Sequence, residues 1–383
     1  QLASYTVNKV YLNDGGTNML THISTSQGSE IDIDYQSTAQ YHDPVSGELT
    51  NPNLPYLLQT VKQININDGL NNETVIDYQY SGGMQYLGDN ILDRKFAGFA
   101  QVEKTIADTK TITYYHQGNE SNSSQGEYQD SYYKIGKPYR QETYDNNTDE
   151  LLNQTIYKWE ETDLGHDNSF VYNTQKSTTD FTSIAKSTAV QYQYDLISGN
   201  LLTENNLGEV VVDIGTGEIT NQLAGDEKDT DYDYAQNAEE HILAAPKTKV
   251  ISDSTDNKQQ NLYYDNLPLG EIDKVNLTKE DYIEQDVEVN RNFNDLGLVI
   301  QEISPKNATT TIAYDSNNLY PVSITDPLNN VSYTEYNLRN GQVATSTAPN
   351  GLMTVNTFEA LGRISKVQIS DPTNPSNLVT TQE

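Results

Sequence analysis

The chain has no cysteine, one tryptophan and six phenylalanines, and sets only 23 Lys and Arg against 55 Asp and Glu. Without cysteine there is neither a disulfide framework nor a thiolate-ligated metal, which suits an intracellular protein or an exported bacterial one built without disulfides. A formal net charge of −32 leaves no basic stripe to neutralise phosphates, so nucleic acid is excluded as a partner. An anionic membrane surface is disfavoured for the same reason. The acidity reads as solubility and protection of sheet edges, with an acidic surface for a basic partner as the alternative. No apolar run approaches the roughly 18 residues of a membrane span, so no membrane insertion is expected. Gln1-Leu-Ala-Ser-Tyr5 is not a signal sequence, and a chain running from Gln1 to Glu383 in mid-pattern reads as a piece of a longer one. P-loop, Gly-x-Gly-x-x-Gly and Gly-x-Ser-x-Gly patterns are also missing, which points to no cofactor and no enzyme activity.

What the chain does have is tyrosine, 28 of them, with abundant Thr, Val and Ile. That composition forms strands and is not that of a disordered chain. Between Phe293 and Pro372 one unit recurs almost four times. Phe293-Asn-Asp295, Tyr314-Asp315, Tyr336-Asn337 and Phe358-Glu359 open successive copies at steps of 21, 22 and 22, while Pro305, Pro327 and Pro349 keep a step of 22. Two markers in phase define a repeat architecture. Within the copy from Tyr314 to Tyr336, turn residues at Asp315–Asn318 and Asp326–Asn330 separate the alternating runs Pro321–Thr325 and Val331–Tyr336. Turn, strand, turn, strand in about 22 residues is a β-hairpin unit, too short for a helix pair. An even step preserves strand parity, so equivalent side chains share a face, and stacked hairpins bury it. The predicted fold is all-β: extended antiparallel hairpin repeats in a sheet that curves or spirals.

Tyr314-Asp315, Asp326-Pro327-Leu328-Asn329-Asn330, Tyr336, Gly341 and Pro349-Asn-Gly351 resemble the YD repeat of the rearrangement-hotspot (RHS) and teneurin proteins. Asn329 stands where that pattern usually has Gly, a substitution that still tolerates positive φ. Upstream, Leu20-Thr-His-Ile-Ser24 with Gly28 and Ile33-Asp-Tyr35 is similar to the shell entry of Tc insecticidal toxin B components and the related virulence-plasmid toxin B proteins. Arg94-Lys-Phe-Ala-Gly-Phe99, Tyr114-Tyr-His116 with Gly118, and Gly136-Lys-Pro-Tyr-Arg140 through Tyr144 continue the resemblance in the same order.

Three regions follow: 1–145, resembling the Tc-B shell entry; 146–290, degenerate repeats with inserted loops; and 291–383, the regular repeats. Strands are expected at Tyr5–Tyr11, Met19–Ser24, Glu30–Tyr35, Val61–Ile66 and Thr74–Tyr80, with a turn at Asn13–Gly16. In the middle, Gln191–Asp195 with Gly199, Tyr232-Asp-Tyr234 and Tyr263-Tyr-Asp265 read as degenerate anchors. Asp226–Tyr234 and Asn237–His241 read as elaborated loops, and Ala235–Leu243 as one short helix.

Candidate chemistry is sparse. His22, His42, His116, His166 and His241 are scattered with no metal-ligand spacing, and His116 is expected to be packed and hydrogen-bonded. Asp229, Asp231 and Asp233 alternate, so on a strand they would share a face that could attract calcium. The stretch lacks the Gly and closing Glu of a calcium loop, and a solvated acidic face is the other reading. Asp326-Pro327 and Asp371-Pro372 are turn elements. The residues that matter most are therefore the repeat anchors Phe293, Tyr314, Asp315, Asp326, Pro327, Tyr336, Gly341, Pro349 and Phe358, with no catalytic residue among them.

The resemblance implies a segment of a hollow β-shell that encapsulates a C-terminal toxin or effector polypeptide in a secreted or surface-associated bacterial complex. Its partners would be the rest of the parent polypeptide and the enclosed C-terminal toxin or C-component. The alternative is a surface adhesin whose tyrosines and amides bind glycan or another cell-surface partner.

Overall fold

The computed structural model describes residues 19–382 apart from residues 26–27, 71, 89, 120–121, 224, 361 and 372–373. The strand expected over Tyr5–Tyr11, the turn at Asn13–Gly16 and the marker Pro372 lie outside the described residues. The described residues are strands and turns with five short 3-10 turns. None of their helices is long and apolar enough to cross a membrane. The chain divides into two compact units, residues 1–229 and 230–383.

In the first unit, each main strand pairs antiparallel with the next in sequence. Glu30–Ser37, Gln59–Asn67, Glu73–Ser81, Gln101–Ile106, Thr109–Tyr115 and Pro138–Asp145 follow one another across the sheet. The longest hairpin, Leu151–Gly165 with Asn168–Asp180, continues into Lys186–Tyr194 and Leu201–Val212. In the second unit the same meander runs from Ile242–Asp253 through Asn257–Tyr264, Leu277–Tyr282 and Val287–Phe293 to Asn374–Gln382. Val287, Thr309, Val331 and Met353 each open a strand, 22 residues apart, so the sequence period is a strand-pair period.

Two turn types alternate in the repeats. In the proline turns, Asn307, Asn329 and Gly351 occupy the same position with φ of 57°, 64° and 82°. Their N–H groups donate to Ser304, Asp326 and Ala348 carbonyls at 2.8, 3.0 and 2.9 Å. This is a type I turn closed by a left-handed residue, which suits Gly or Asn. At the other end Asn337 caps a longer loop, as Asp145, Asp195 and Asp213 do in the first unit, while Asn294, Asp315 and Glu359 close shorter ones with Gly297, Asn318 and Gly362. Asp145, Asp195, Asp213 and Asn337 each accept the N–H of a residue four positions on, respectively Asp149, Gly199, Gly217 and Gly341. Each of those four donor residues has positive φ.

The aromatic anchors coincide with β-bulges. Register slips at Asn292/Phe293, Ala313/Tyr314, Glu335/Tyr336 and Thr357/Phe358, and the four aromatics face Val299, Pro321, Val343 and Ile364. Tyr35, Tyr115 and Tyr194 do the same in the first unit, opposite Val61, Pro138 and Leu201. An extra residue on one strand bends it and raises its right-handed twist, so repeating the bulge curves the sheet.

Two expectations fail between 226 and 243. Lys228–Asn237 and Ile242–Asp253 are strands, so Asp226–Tyr234 is mostly strand and Ala235–Leu243 is not a helix. Residues 238–241 make a turn in which Asn237 Oδ1 accepts the Glu239 N–H at 3.2 Å and the Glu240 N–H at 3.3 Å. His241 has φ of 57°. Ala235 and Ala245 are instead buried with Tyr264 and Ile272 in the second unit's core cluster.

Candidate functional site

Between the strands Thr109–Tyr115 and Pro138–Asp145 the chain leaves the sheet for residues 116–137. Gly118, Gly126 and Gly136, with φ of 74°, 85° and 83°, turn it out and back. The short 3-10 turns Ser123–Gln125 and Tyr132–Lys134 compact it. The return path brings Glu127 and Asp130 to His116.

His116 has no exposed surface, and Glu127 and Lys134 are also buried. Its Nδ1 lies 3.1 Å from Asp130 Oδ1 and 3.3 Å from Glu127 Oε1. Asp130 Oδ2 accepts the N–H groups of Gln117 at 3.2 Å and Asn119 at 2.8 Å, and Oδ1 accepts that of Ser131 at 2.8 Å. Glu127 Oε2 accepts the Asn122 N–H. Both carboxylates are thus fixed by backbone, with one oxygen of each turned to the imidazole. Lys134 Nζ donates to the carbonyls of Tyr128 at 3.0 Å and Gln129 at 2.6 Å.

The electrostatics follow from burial and pairing. Burial pulls the His116 imidazole down, but hydrogen bonds and charge from Asp130 and Glu127 outweigh it and hold the pKa above its ordinary value. Burial pushes the Asp130 carboxyl up, and the bonds from His116, Asn119 and Gln117 reverse that to a net fall. Burial keeps Lys134 below the usual ammonium range despite the surrounding carboxylates. Tyr139, whose ring packs edge-on 5.3 Å from His116, is pushed up to about 12, chiefly by burial. Chemically the cluster can clamp the 116–137 excursion to the sheet or hold a cation.

His116 was legible in the sequence as a packed histidine. Its partners were not, because Glu127 and Asp130 lie 11 and 14 residues further on in an irregular Ser-, Asn- and Gly-rich stretch with no motif spacing. The bracketing Gly118 and Gly136 were the available cue.

The repeat anchors are placed in a consistent way. Phe293, Tyr314 and Phe358 close their strands and Tyr336 is the penultimate residue of its own, all four part-buried. Asp315 Oδ1 accepts the Leu319 and Tyr320 N–H groups at 2.7 and 3.1 Å. Asp326 Oδ1 accepts those of Leu328 and Asn330, both at 2.8 Å. Pro327 and Pro349 occupy the turns that follow Asp326 and Ala348, and Gly341 closes the Asn337 loop. Asp229, Asp231 and Asp233 are exposed alternate residues of the strand Lys228–Asn237, and Asp233 pairs with Lys247 at 2.8 Å.

A separate open groove of about 490 Å³ lies in the first unit beneath the Tyr41–Pro44 loop. Gln36, Tyr41, Lys62, Asp77, Tyr78 and Glu103 are among the residues lining it.

Residues 4–134, about a third of the chain, match the family model described as the insecticide toxin TcdB middle/N-terminal region. Over that stretch the chain is Tc toxin B-like. No curated protein matches it. Among solved structures, TcdB2-TccC3-TEV is similar with a TM-score of 0.63 at 13% identity, over 94% of this chain and 25% of that one. TcdB2-TccC3 without its hypervariable C-terminal region gives 0.62 at 12% identity, over 93% and 25%. The Photorhabdus luminescens Tc holotoxin pore gives 0.62 at 12% identity, over 95% and 24%. The chain therefore spans about a quarter of the length of the chains it matches, and at this identity the likeness is one of fold.

Proposed function

We propose that this chain is a wall segment of a hollow antiparallel β-shell in a Tc-type toxin complex, enclosing a polypeptide delivered by the assembled toxin. The observation that supports it best is the coincidence of two independent likenesses. A Tc toxin B family model matches residues 4–134, and a fold shared with TcdB2-TccC3 extends over nearly the whole chain. The role would be mechanical: paired strands make the wall, bulges curve it, and turns set the repeat length. The three sequence regions, 1–145, 146–290 and 291–383, would be successive stretches of that wall. The partners would be the remainder of the parent polypeptide and a TccC-like C-component, and the complex would act outside the producing cell. Electron microscopy of the full parent protein, together with limited proteolysis, tests this. An enclosed cavity and a C-terminal polypeptide protected until the shell is opened are expected. A solid or fibrous particle, or an unprotected C-terminus, would overturn the idea.

A second function, glycan recognition, draws on the groove at Tyr41 and Tyr78, where aromatic rings stand beside the amides and carboxylates of Gln36, Asp77 and Glu103. Saturable, glycan-specific binding on an array, lost in Tyr78→Ala, would favour it. A blank array would remove it.

A further inference from the structure

We propose that His116, Glu127 and Asp130 form a site for a divalent first-row transition cation, zinc or manganese, that fastens the 116–137 excursion to the sheet. The three side chains come from separate places in the sequence, and among the described residues they are a group whose ligand atoms all lie within 4.8 Å of one another. Nδ1 is 3.1 Å from Asp130 Oδ1 and 3.3 Å from Glu127 Oε1. With metal–ligand bonds of about 2.1 Å, neighbouring donors stand about 3.0 Å apart in an octahedron and about 3.4 Å in a tetrahedron. Both separations from Nδ1 fall between those two edges.

The outer oxygens support the same assignment. Asp130 Oδ2 is held by the Gln117 and Asn119 N–H groups, and Glu127 Oε2 by that of Asn122, so each carboxylate presents its other oxygen inward. Such outer-shell hydrogen bonds aim a ligand and hold it ready for a metal. A nitrogen donor beside two carboxylates suits zinc or manganese better than calcium, which prefers all-oxygen surroundings. One proton on Nδ1 can point at only one of the two oxygens, whereas a cation between them meets both carboxylates and the imidazole. Coordination needs the Nδ1 lone pair: the Nδ1–H bond of the imidazolium breaks, that proton leaves to solvent while Nε2 keeps its own, and the neutral imidazole nitrogen coordinates with both oxygens. Lys134 Nζ is taken up by the Tyr128 and Gln129 carbonyls. Once that proton has left, the two carboxylates and this ammonium carry one net negative charge, which attracts the cation. The inference does not depend on the shell function.

The test uses the full chain, stripped with chelator and titrated calorimetrically with zinc chloride and with manganese chloride in two buffers of different ionisation enthalpy. One equivalent should bind with micromolar or tighter affinity, release a proton and raise the melting temperature. Glu127→Gln and Asp130→Asn should weaken binding at least about tenfold. Because either variant could fail to fold, cobalt(II) titration of the unmodified chain gives a second measurement, with d–d bands characteristic of mixed nitrogen and oxygen ligation expected. Absence of binding by the unmodified chain at millimolar metal, or unchanged affinity in a folded variant, would each overturn the proposal.

Discussion

The rings of Tyr320 and Tyr336 stack with centroids 4.5 Å apart and planes 18° from parallel. Tyr336 is a repeat anchor at a bulge, and Tyr320 immediately precedes the strand Pro321–Thr325 that pairs with Tyr336's own strand. The stack therefore joins the turn of one copy to the anchor of the next. Aromatic pairs of this kind contribute about 0.5–1.5 kcal/mol beyond area burial. Urea unfolding of Tyr320→Ala, Tyr336→Ala and the double variant should yield a coupling energy in that range. Strict additivity would show that the rings are neighbours without interacting.

Gly341 has φ of 72°, and a Cβ there would come within 3.0 Å of Tyr320 Oη. Gly341→Ala should lower stability by about 1–2 kcal/mol, from the left-handed backbone alone. Asn329, at φ of 64° in the proline turn, should accept Gly with little change and Ala with a loss comparable to that at Gly341. Denaturant midpoints of the three variants check the contrast.

The capping aspartates set an acid limit. Asp326 is held below the usual carboxylate range first by the Asn330 side chain and then by backbone N–H groups. Asp195 and Asp213 are lowered by the Ile197 and Thr216 N–H groups respectively, with Ser198 and Thr216 hydroxyls adding to it. A folded pKa below the unfolded one stabilises above the unfolded value of about 4, and that contribution is lost as pH falls through the folded value. The triple variant Asp195→Ala, Asp213→Ala, Asp326→Ala should be less stable than the parent at neutral pH. The gap should narrow as pH is lowered to about 2, which acid titration of the unfolding midpoint would reveal. A gap independent of pH would refute the assignment.

Gln154 and Gln175 are buried amides on neighbouring strands that reach across to one loop. Gln154 Nε2 donates to the Ile214 carbonyl at 2.8 Å and Gln175 Nε2 to the Gly217 carbonyl at 2.7 Å. Removing either amide leaves a carbonyl without that donor, at a cost of about 1–3 kcal/mol if it stays buried. Gln175→Leu should therefore destabilise despite its greater hydrophobicity, as thermal melting will show.

The repeats were legible because two residue types kept one period, and a 22-residue step allows few architectures. The bulges were not, since nothing local in Tyr314 or Tyr336 marks a register slip that appears only when the partner strand is aligned. The stretch Ala235–Leu243 misled through its Ala, Glu and Leu content. Helix propensity there is overridden by the Asn237 turn and by the burial of Ala235 and Ala245 in strands. Tyr232 and Tyr234 alternate with Asp231 and Asp233, a strand pattern that agrees with the anchor reading of Tyr232-Asp-Tyr234 and not with the loop reading of Asp226–Tyr234. The His116 cluster depends on chain return through an irregular stretch, which no periodicity encodes.

Among the described residues, buried polar or charged side chains outnumber buried apolar ones, eighteen to eleven, with Thr, Ser, Gln and Asn prominent. Exposing polar surface on unfolding lowers the heat capacity, while exposing apolar surface raises it. A sheet packed on amides and hydroxyls should thus unfold with a heat-capacity increment per residue below the usual 12–15 cal/mol/K or so. Its stability curve is then broad and flat, changing little with temperature, a constancy that an aliphatic core of equal size would not give.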